Sequence, residues 1–239
     1  MIDGAARILA IETSSRWGSA AIGTPAGVIE NRELSGEMRH AADFAALVDA
    51  MLKAQNWPAR SIAYVLISVG PGSFTGLRIG VTMARTLSWS IGARIVAVPT
   101  LDAIARNALA AQPAPQNLAV LLDAKREQVY AGAYRIEQQE IQRLIEPSLE
   151  KPLAFLSQLP RPLFVMGEGV PHHREEIEKA GVEFLPDSLA RPDARQVFTI
   201  GLQMARAGLH TPPGDLLPLY IRRPEAEEKW EKLHPPPGK

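Results

Sequence analysis

The stretch VLISVGPGSFTGLRIGVTMA, residues 65–84, constrains this chain more than any other. An apolar, β-branched run ends in Gly70-Pro71-Gly72-Ser73, and a helix-like pattern follows with no spacer. Strand, glycine turn and helix in direct succession is the local grammar of an α/β fold, and the amides at such a helix start can face an anion. Known phosphate signatures do not fit, however. A P-loop needs Gly-x4-Gly-Lys-Ser/Thr, but five residues after Gly70 stands Thr75, and five after Gly72 stands Leu77, followed by Arg78. The dinucleotide fingerprint fails because its sixth position is Thr75, with Gly76 one residue late. A nucleophile elbow fails because Pro71 and Thr75 stand where glycines are required around Ser73. Spacing alone leaves two readings open, an anion cradle and a tight turn without a ligand.

The surrounding pattern extends the α/β reading. ARILAIETSS (Ala6–Ser15), GSAAIG and GVIEN read as three strands of an antiparallel meander. A helix follows with Phe44, Leu47, Val48, Met51 and Leu52 on one stripe. Then come a strand at Ala63–Val69, a helix at about Thr75–Ile91, a strand at Ala93–Pro99, and a helix for which Thr100 can serve as N-cap. AQPAPQ, residues 111–116, breaks the pattern, and strands restart at Leu118–Ala124 and Gln128–Tyr134. A mixed segment, the strand LFVMGEG, the helical PHHREEIEKAG, a short VEFL and the helical DARQVFTIGLQMARAG complete a shorter second round. Two α/β halves are therefore expected: residues 1–110, residues 111–194, a final helix at about 195–223 packing back on the first half, and a charged, Pro-rich tail at 224–239.

Composition narrows the chemistry. The chain has 26 basic and 26 acidic residues among 239, so no broad basic face for gripping nucleic acid unaided is expected. It has no cysteine, which excludes disulfides, thiolate nucleophiles and Cys-based zinc sites. Met1–Arg7 does not look like a secretory leader, and no apolar run approaches the ~20 residues of a membrane span, so a cytoplasmic protein is expected. The five histidines, His40, His172, His173, His210 and His234, include no helical i, i+4 pair, since Phe44 stands four residues after His40. No metal site is expected. Thr13-Ser14-Ser15, at the end of the first strand, can contact a phosphate or cap their own turn. Gly80, Ala84 and Ser88 form a small-residue stripe that suits close packing, either on the chain's own sheet or on a second chain.

Taken together, ILAIETSSRWGSAAI, SVGPGSFTGLRIGVTMARTLSWSIGARIVAVPTLDAIA and LLDAKREQVYAGAYR resemble the TsaB (YeaZ) family, and PLYIRR (Pro218–Arg223) resembles that family's C-terminal ending. The resemblance is close over about Ile8–Tyr134 and loose over about Gln138–Leu209. Glu12, where the pattern often has Asp, and the longer charged tail are departures. The resemblance implies two actin-like/Hsp70-like ATPase domains with a cleft between them. It also implies a non-catalytic subunit in the synthesis of threonylcarbamoyladenosine. In that reaction TsaD moves a threonylcarbamoyl group from its adenylate to an adenine next to the tRNA anticodon.

TsaD carries a metal-binding His-x-x-x-His that His40–Phe44 does not reproduce. Implied partners are TsaD, the ATPase TsaE and tRNA as substrate of the complex, with a homodimer when the chain is alone. No cofactor is expected to bind firmly, and ATP or ADP only in the complex. Thr13, Ser14, Ser15, Gly70, Gly72, Ser73 and Asp123 are the residues of a reduced nucleotide-like cleft. The partner surface is expected at His40, Phe44, Leu47, Met51, Arg78, Gly80, Ala84 and Ser88. The rivals are an active ATP-dependent phosphotransferase of the same fold, using Thr13, Ser14, Gly70, Gly72 and Asp123, and a glycoprotease-like peptidase.

Overall fold

A computed structural model describes residues 2–34 and 41–222. The chain runs through one arrangement twice. Strands β1 (Arg7–Glu12), β2 (Ser19–Thr24) and β3 (Gly27–Glu33) form an antiparallel meander. Helix α1 (Ala41–Ala54) then leads to β4 (Ile62–Ser68), α2 (Phe74–Ile91) to β5 (Arg94–Val98), and α3 (Thr100–Asn107) ends the round. Strands β4 and β5 add in parallel, so the order is β3-β2-β1-β4-β5. The second round repeats it with β6 (Asn117–Asp123), β7 (Val129–Glu137), β8 (Glu140–Glu150), α4 (Pro152–Leu156), β9 (Phe164–Met166), α5 (Arg174–Glu178), β10 (Glu183–Phe184) and α6 (Ala194–Arg206). Its order, read from the matching edge, is β8-β7-β6-β9-β10.

Burial on both faces explains why β1 reads as continuously apolar. Leu9 and Ile11 meet α1 and α2 residues on one side, while Ile8 and Ala10 meet α6 on the other. The α1 stripe of Phe44, Val48, Met51 and Leu52 closes on this sheet. Helix α2 starts at an N-cap, Ser73, whose hydroxyl accepts from the Gly76 amide. It stops at Gly92, which takes a left-handed C-cap at φ 74°.

The closing helices are exchanged between the halves. Helix α6 puts Val197, Phe198, Leu202 and Ala205 on the first sheet. Helix α3 puts Leu101, Ile104 and Ala105 on Leu118, Val120 and Tyr134 of the second. The two helices also pack on each other.

Several local expectations are corrected. Thr100 is the first helical residue rather than the cap, and its hydroxyl accepts instead from the Gly70 amide at 3.1 Å. The final helix ends at Arg206, not near 223: Gly208 turns at φ 80°, Pro212 and Pro213 follow, and an extended strap continues to Arg222. The mixed segment holds the 11-residue edge strand β8, which alternation hides because it is only partly buried and pairs with β7 through bulges. PHHREEIEKAG forms a 3₁₀ turn at Val170–His172 and the five-residue α5 rather than one helix. The 224–239 tail lies outside the described residues.

Candidate functional site

The glycine turn after β4 is occupied by the chain itself. The Ser73 amide donates to the Ser14 carbonyl at 2.5 Å. A Cβ on Gly72 would lie 2.3 Å from that same oxygen, so only glycine lets the two backbones approach this closely. Gly70 and Thr100 are tied in both directions, Gly70 amide to Thr100 hydroxyl at 3.1 Å and Thr100 amide to Gly70 carbonyl at 2.9 Å. The Gly76 and Leu77 amides go to the Ser73 hydroxyl and carbonyl. Four amides of the turn and the first helical turn, those of Gly70, Ser73, Gly76 and Leu77, are thus committed to acceptors of the chain itself.

The hydroxyl run faces the same way, into the protein. Thr13, Ser14 and Ser15 are all buried. The Ser14 amide and hydroxyl both donate to Glu12 Oε1 at 2.5 Å. Ser15 Oγ donates to the Trp17 carbonyl and accepts from its amide, closing a small turn. Thr13 Oγ1 sits under α2, where a Cβ on Gly80 would come within 2.4 Å of it.

The C-terminal strap lies over the turn and reaches the other half. The Leu219 amide donates to the Val69 carbonyl at 2.7 Å, and the Leu219 carbonyl lies 2.9 Å from where a Gly70 Cβ would be. Tyr220 packs on Phe74 with ring centres 5.0 Å apart, and its hydroxyl accepts from Arg78 Nε at 3.2 Å. Arg222 then donates to the Ala124 carbonyl and the Gln128 side chain, in the β6–β7 turn. Asp123, the expected cleft residue of the second half, ends β6 beside that β6–β7 turn. The strap thus runs from the glycine turn to the residues that follow Asp123.

Two carboxylates mark the corresponding strand ends, and their environments differ. Glu12 ends β1 and is fully buried. Burial pushes its pKa up to about 7; the hydrogen bonds from Ser14 oppose this, and the Asp193 charge adds to it. Its Oε2 has no partner among the described residues. Asp123 ends β6. Burial raises it too, but Lys125 outweighs burial by donating its amide at 2.9 Å and its ammonium at 2.5 Å, with His173 3.5 Å away. The Asp123 carboxyl is held below the usual range.

The expected partner surface divides. Phe44, Met51, Gly80 and Ala84 are buried against the first sheet, because the apolar stripe of α1 and the small-residue stripe of α2 both face their own strands. These four residues are core, which corrects the expectation. Leu47 and Ser88 are half-buried, Arg78 is exposed, and His40 lies outside the described residues. The outward side of α2 instead presents Arg78, Thr82, Arg85 and Trp89 at i, i+4, i+7 and i+11. Trp89 is 63% exposed, with the Arg85 guanidinium 4.8 Å from its ring centre. The sequence reading missed Trp89, Leu219, Tyr220 and Arg222; the tryptophan in an otherwise polar outward register was the available signal.

Among the described residues, no group of three or more His, Asp or Glu side chains could hold a metal ion. No helix of these residues is long and apolar enough to cross a membrane.

Two repeated α/β halves with exchanged closing helices make up an actin-like fold. The chain belongs to the family described as TsaD, tRNA N6-adenosine threonylcarbamoyltransferase, whose family model matches residues 28–230. Within that family it groups with the TsaB, or YeaZ, proteins. It is 29% identical over 229 residues to the tRNA threonylcarbamoyladenosine biosynthesis protein TsaB of Bacillus subtilis, covering 93% of this chain and 97% of that one. It is 26% identical over 239 residues to the TsaB protein of Escherichia coli, covering 98% and 99%. The solved structure of YeaZ from Pseudomonas aeruginosa has the same fold, with a TM-score of 0.76 at 22% identity over 90% of this chain and 99% of that one.

Proposed function

We propose that this chain is a non-catalytic subunit in the synthesis of threonylcarbamoyladenosine on tRNA, acting in the cytoplasm by binding the transferase TsaD. The observation that carries this reading is the closed glycine turn. The Ser14 carbonyl lies against Gly72 and accepts from the Ser73 amide, and the Leu219 carbonyl lies against Gly70. A fold that elsewhere positions a nucleotide is held here by its own backbone, and a scaffold has use for such rigidity. The names of the similar TsaB proteins support the pathway. The family description names a transferase, but the metal-binding His-x-x-x-His attributed to TsaD is absent here, and Phe44 in its second place is packed in the core.

The partner surface we assign is the outward side of α2, with Arg78, Arg85 and Trp89 as its anchors. Exposed tryptophan and arginine side chains are the types that most often dominate binding energy. The same surface would serve a homodimer when TsaD is absent. TsaE and tRNA join as further partner and substrate of the complex, and ATP or ADP would bind only there. Sedimentation of the chain mixed with TsaD tests this. Wild type should co-sediment, and Trp89→Asp should weaken the complex at least tenfold with its thermal melt unchanged. Co-sedimentation of Trp89→Asp equal to wild type would remove α2 from the interface, and no complex at all would remove the proposal.

A further inference from the structure

A cavity of about 120 Å³ opens where α3, α6 and the β7–β8 hairpin meet, so both halves contribute to its walls. It lies apart from the glycine turn and from the outward side of α2. On its α3 wall stand Asp102 and, one turn later, Arg106. Asp102 is fully engaged: Tyr134 donates to Oδ1 at 2.9 Å, Arg143 Nε donates to the same oxygen at 3.0 Å, and a second Arg143 nitrogen donates to Oδ2. Arg143 also pairs with Glu146 at 2.6 Å, so its charge is answered twice.

Arg106 is different. It is half-buried and lines the same cavity, yet its guanidinium takes no hydrogen bond or ion pair among the described residues. The carboxylate four residues before it, the natural helical partner, is the one Arg143 has taken. A guanidinium half out of water favours a charged acceptor that its fork can bind. Across the cavity stands the exposed side-chain amide of Gln203, and Ile141 and Ile200 supply an apolar wall.

We infer that this cavity binds a small organic carboxylate, its anionic end on the Arg106 guanidinium and the Gln203 amide and its short hydrocarbon body against Ile141 and Ile200. Size guides the choice of ligand: an apolar cavity of about 150 Å³ holds benzene, so about five non-hydrogen atoms are seated within this open pocket. Charge limits it further. The Asp102 and Glu140 carboxylates line the same space, which favours a monoanion over a dianion such as phosphate. A bound carboxylate would bridge α3 and α6, the two helices that cross between the halves.

The test is an amide chemical-shift titration of the whole chain with butyrate, butyramide and inorganic phosphate at constant ionic strength, in wild type and Arg106→Gln. Butyrate should give saturable shifts confined to α3, α6 and β7–β8, with a dissociation constant on the order of 1 mM. Both Arg106→Gln and the neutral butyramide should bind at least tenfold more weakly. No saturation, shifts elsewhere, equal binding by Arg106→Gln or by butyramide, or preference for phosphate would each overturn the proposal. Should Arg106→Gln fail to melt cooperatively, the butyramide and phosphate arms on wild type decide the question alone.

Discussion

The two glycine turns of this molecule invite comparison, because the same strand order places them at corresponding positions. In the first half, Gly70-Pro71-Gly72 follows β4 and packs on the end of β1. In the second, Gly167-Glu168-Gly169 follows β9 and packs on the end of β6. A Cβ on Gly167 would lie 2.1 Å from the Leu121 carbonyl, and one on Gly169 would lie 2.8 Å from the Asp123 amide. The first turn has the sequence look of a phosphate loop, because an 18-residue helix follows it; five-residue α5 comes after the second. Both need glycine for one reason, close approach of the chain's own backbone. Glycines at this position are therefore explained by the fold before any ligand is invoked.

The strand ends beside these turns diverge. Glu12 is buried with serine hydroxyls, whereas Asp123 is answered by a lysine. The first end is thus sensitive to pH near neutrality, while the second stays charged. Because the folded pKa of Glu12 lies above its unfolded value of 4.5, the folded chain holds that proton more tightly. Stability from this group is full below about 4.5 and is lost as pH rises through about 7.

The largest expected effect tests the shared role of the glycines. Gly167→Ala combines a φ of 120° with a backbone clash and should cost ~3 kcal/mol or more, about 6–12 °C in melting temperature. Gly72→Ala should destabilise by the same kind of clash. A Gly72→Ala variant that melts like wild type would break the comparison. Next, Glu12→Gln should stabilise the chain by up to about 3 kcal/mol at pH 8 and flatten the pH profile of urea unfolding; a slope unchanged between pH 5 and pH 7 would contradict the assigned environment.

Ala84→Leu, overpacking the inward side of α2, should cost ~1–3 kcal/mol of stability. Association lost with the melt intact would instead return that stripe to the interface. Smallest in stability is Trp89→Asp on the outward side, expected within ~0.5 kcal/mol of wild type by thermal melt.

Much of this architecture was legible in the sequence. Runs such as LLDA and ILAIE, apolar on both faces, mark buried strands, and the α1 and α2 stripes mark their helices. Side choice was less legible. Gly80 and Ala84 suit a partner helix or a sheet equally, and the contact with Thr13 and Ile67 that decides between them is long-range. The same holds for the strap: nothing in PLYIRR shows that Leu219 will bond Val69 or that Arg222 will reach the β6–β7 turn. Strand β8 escaped because a half-exposed edge strand rich in Glu, Gln and Arg carries a weak alternation.

The central proposal is that the glycine turn seats the chain's own backbone in place of a phosphate. Its most direct test is ATP hydrolysis by the purified chain with magnesium, measured beside Gly72→Ala and in protein free of contaminating ATPases. The account predicts no turnover above background for either. A rate in the ordinary enzymatic range of ~1–10³ s⁻¹ for wild type, abolished by a Gly72→Ala variant that still melts cooperatively, would contradict it.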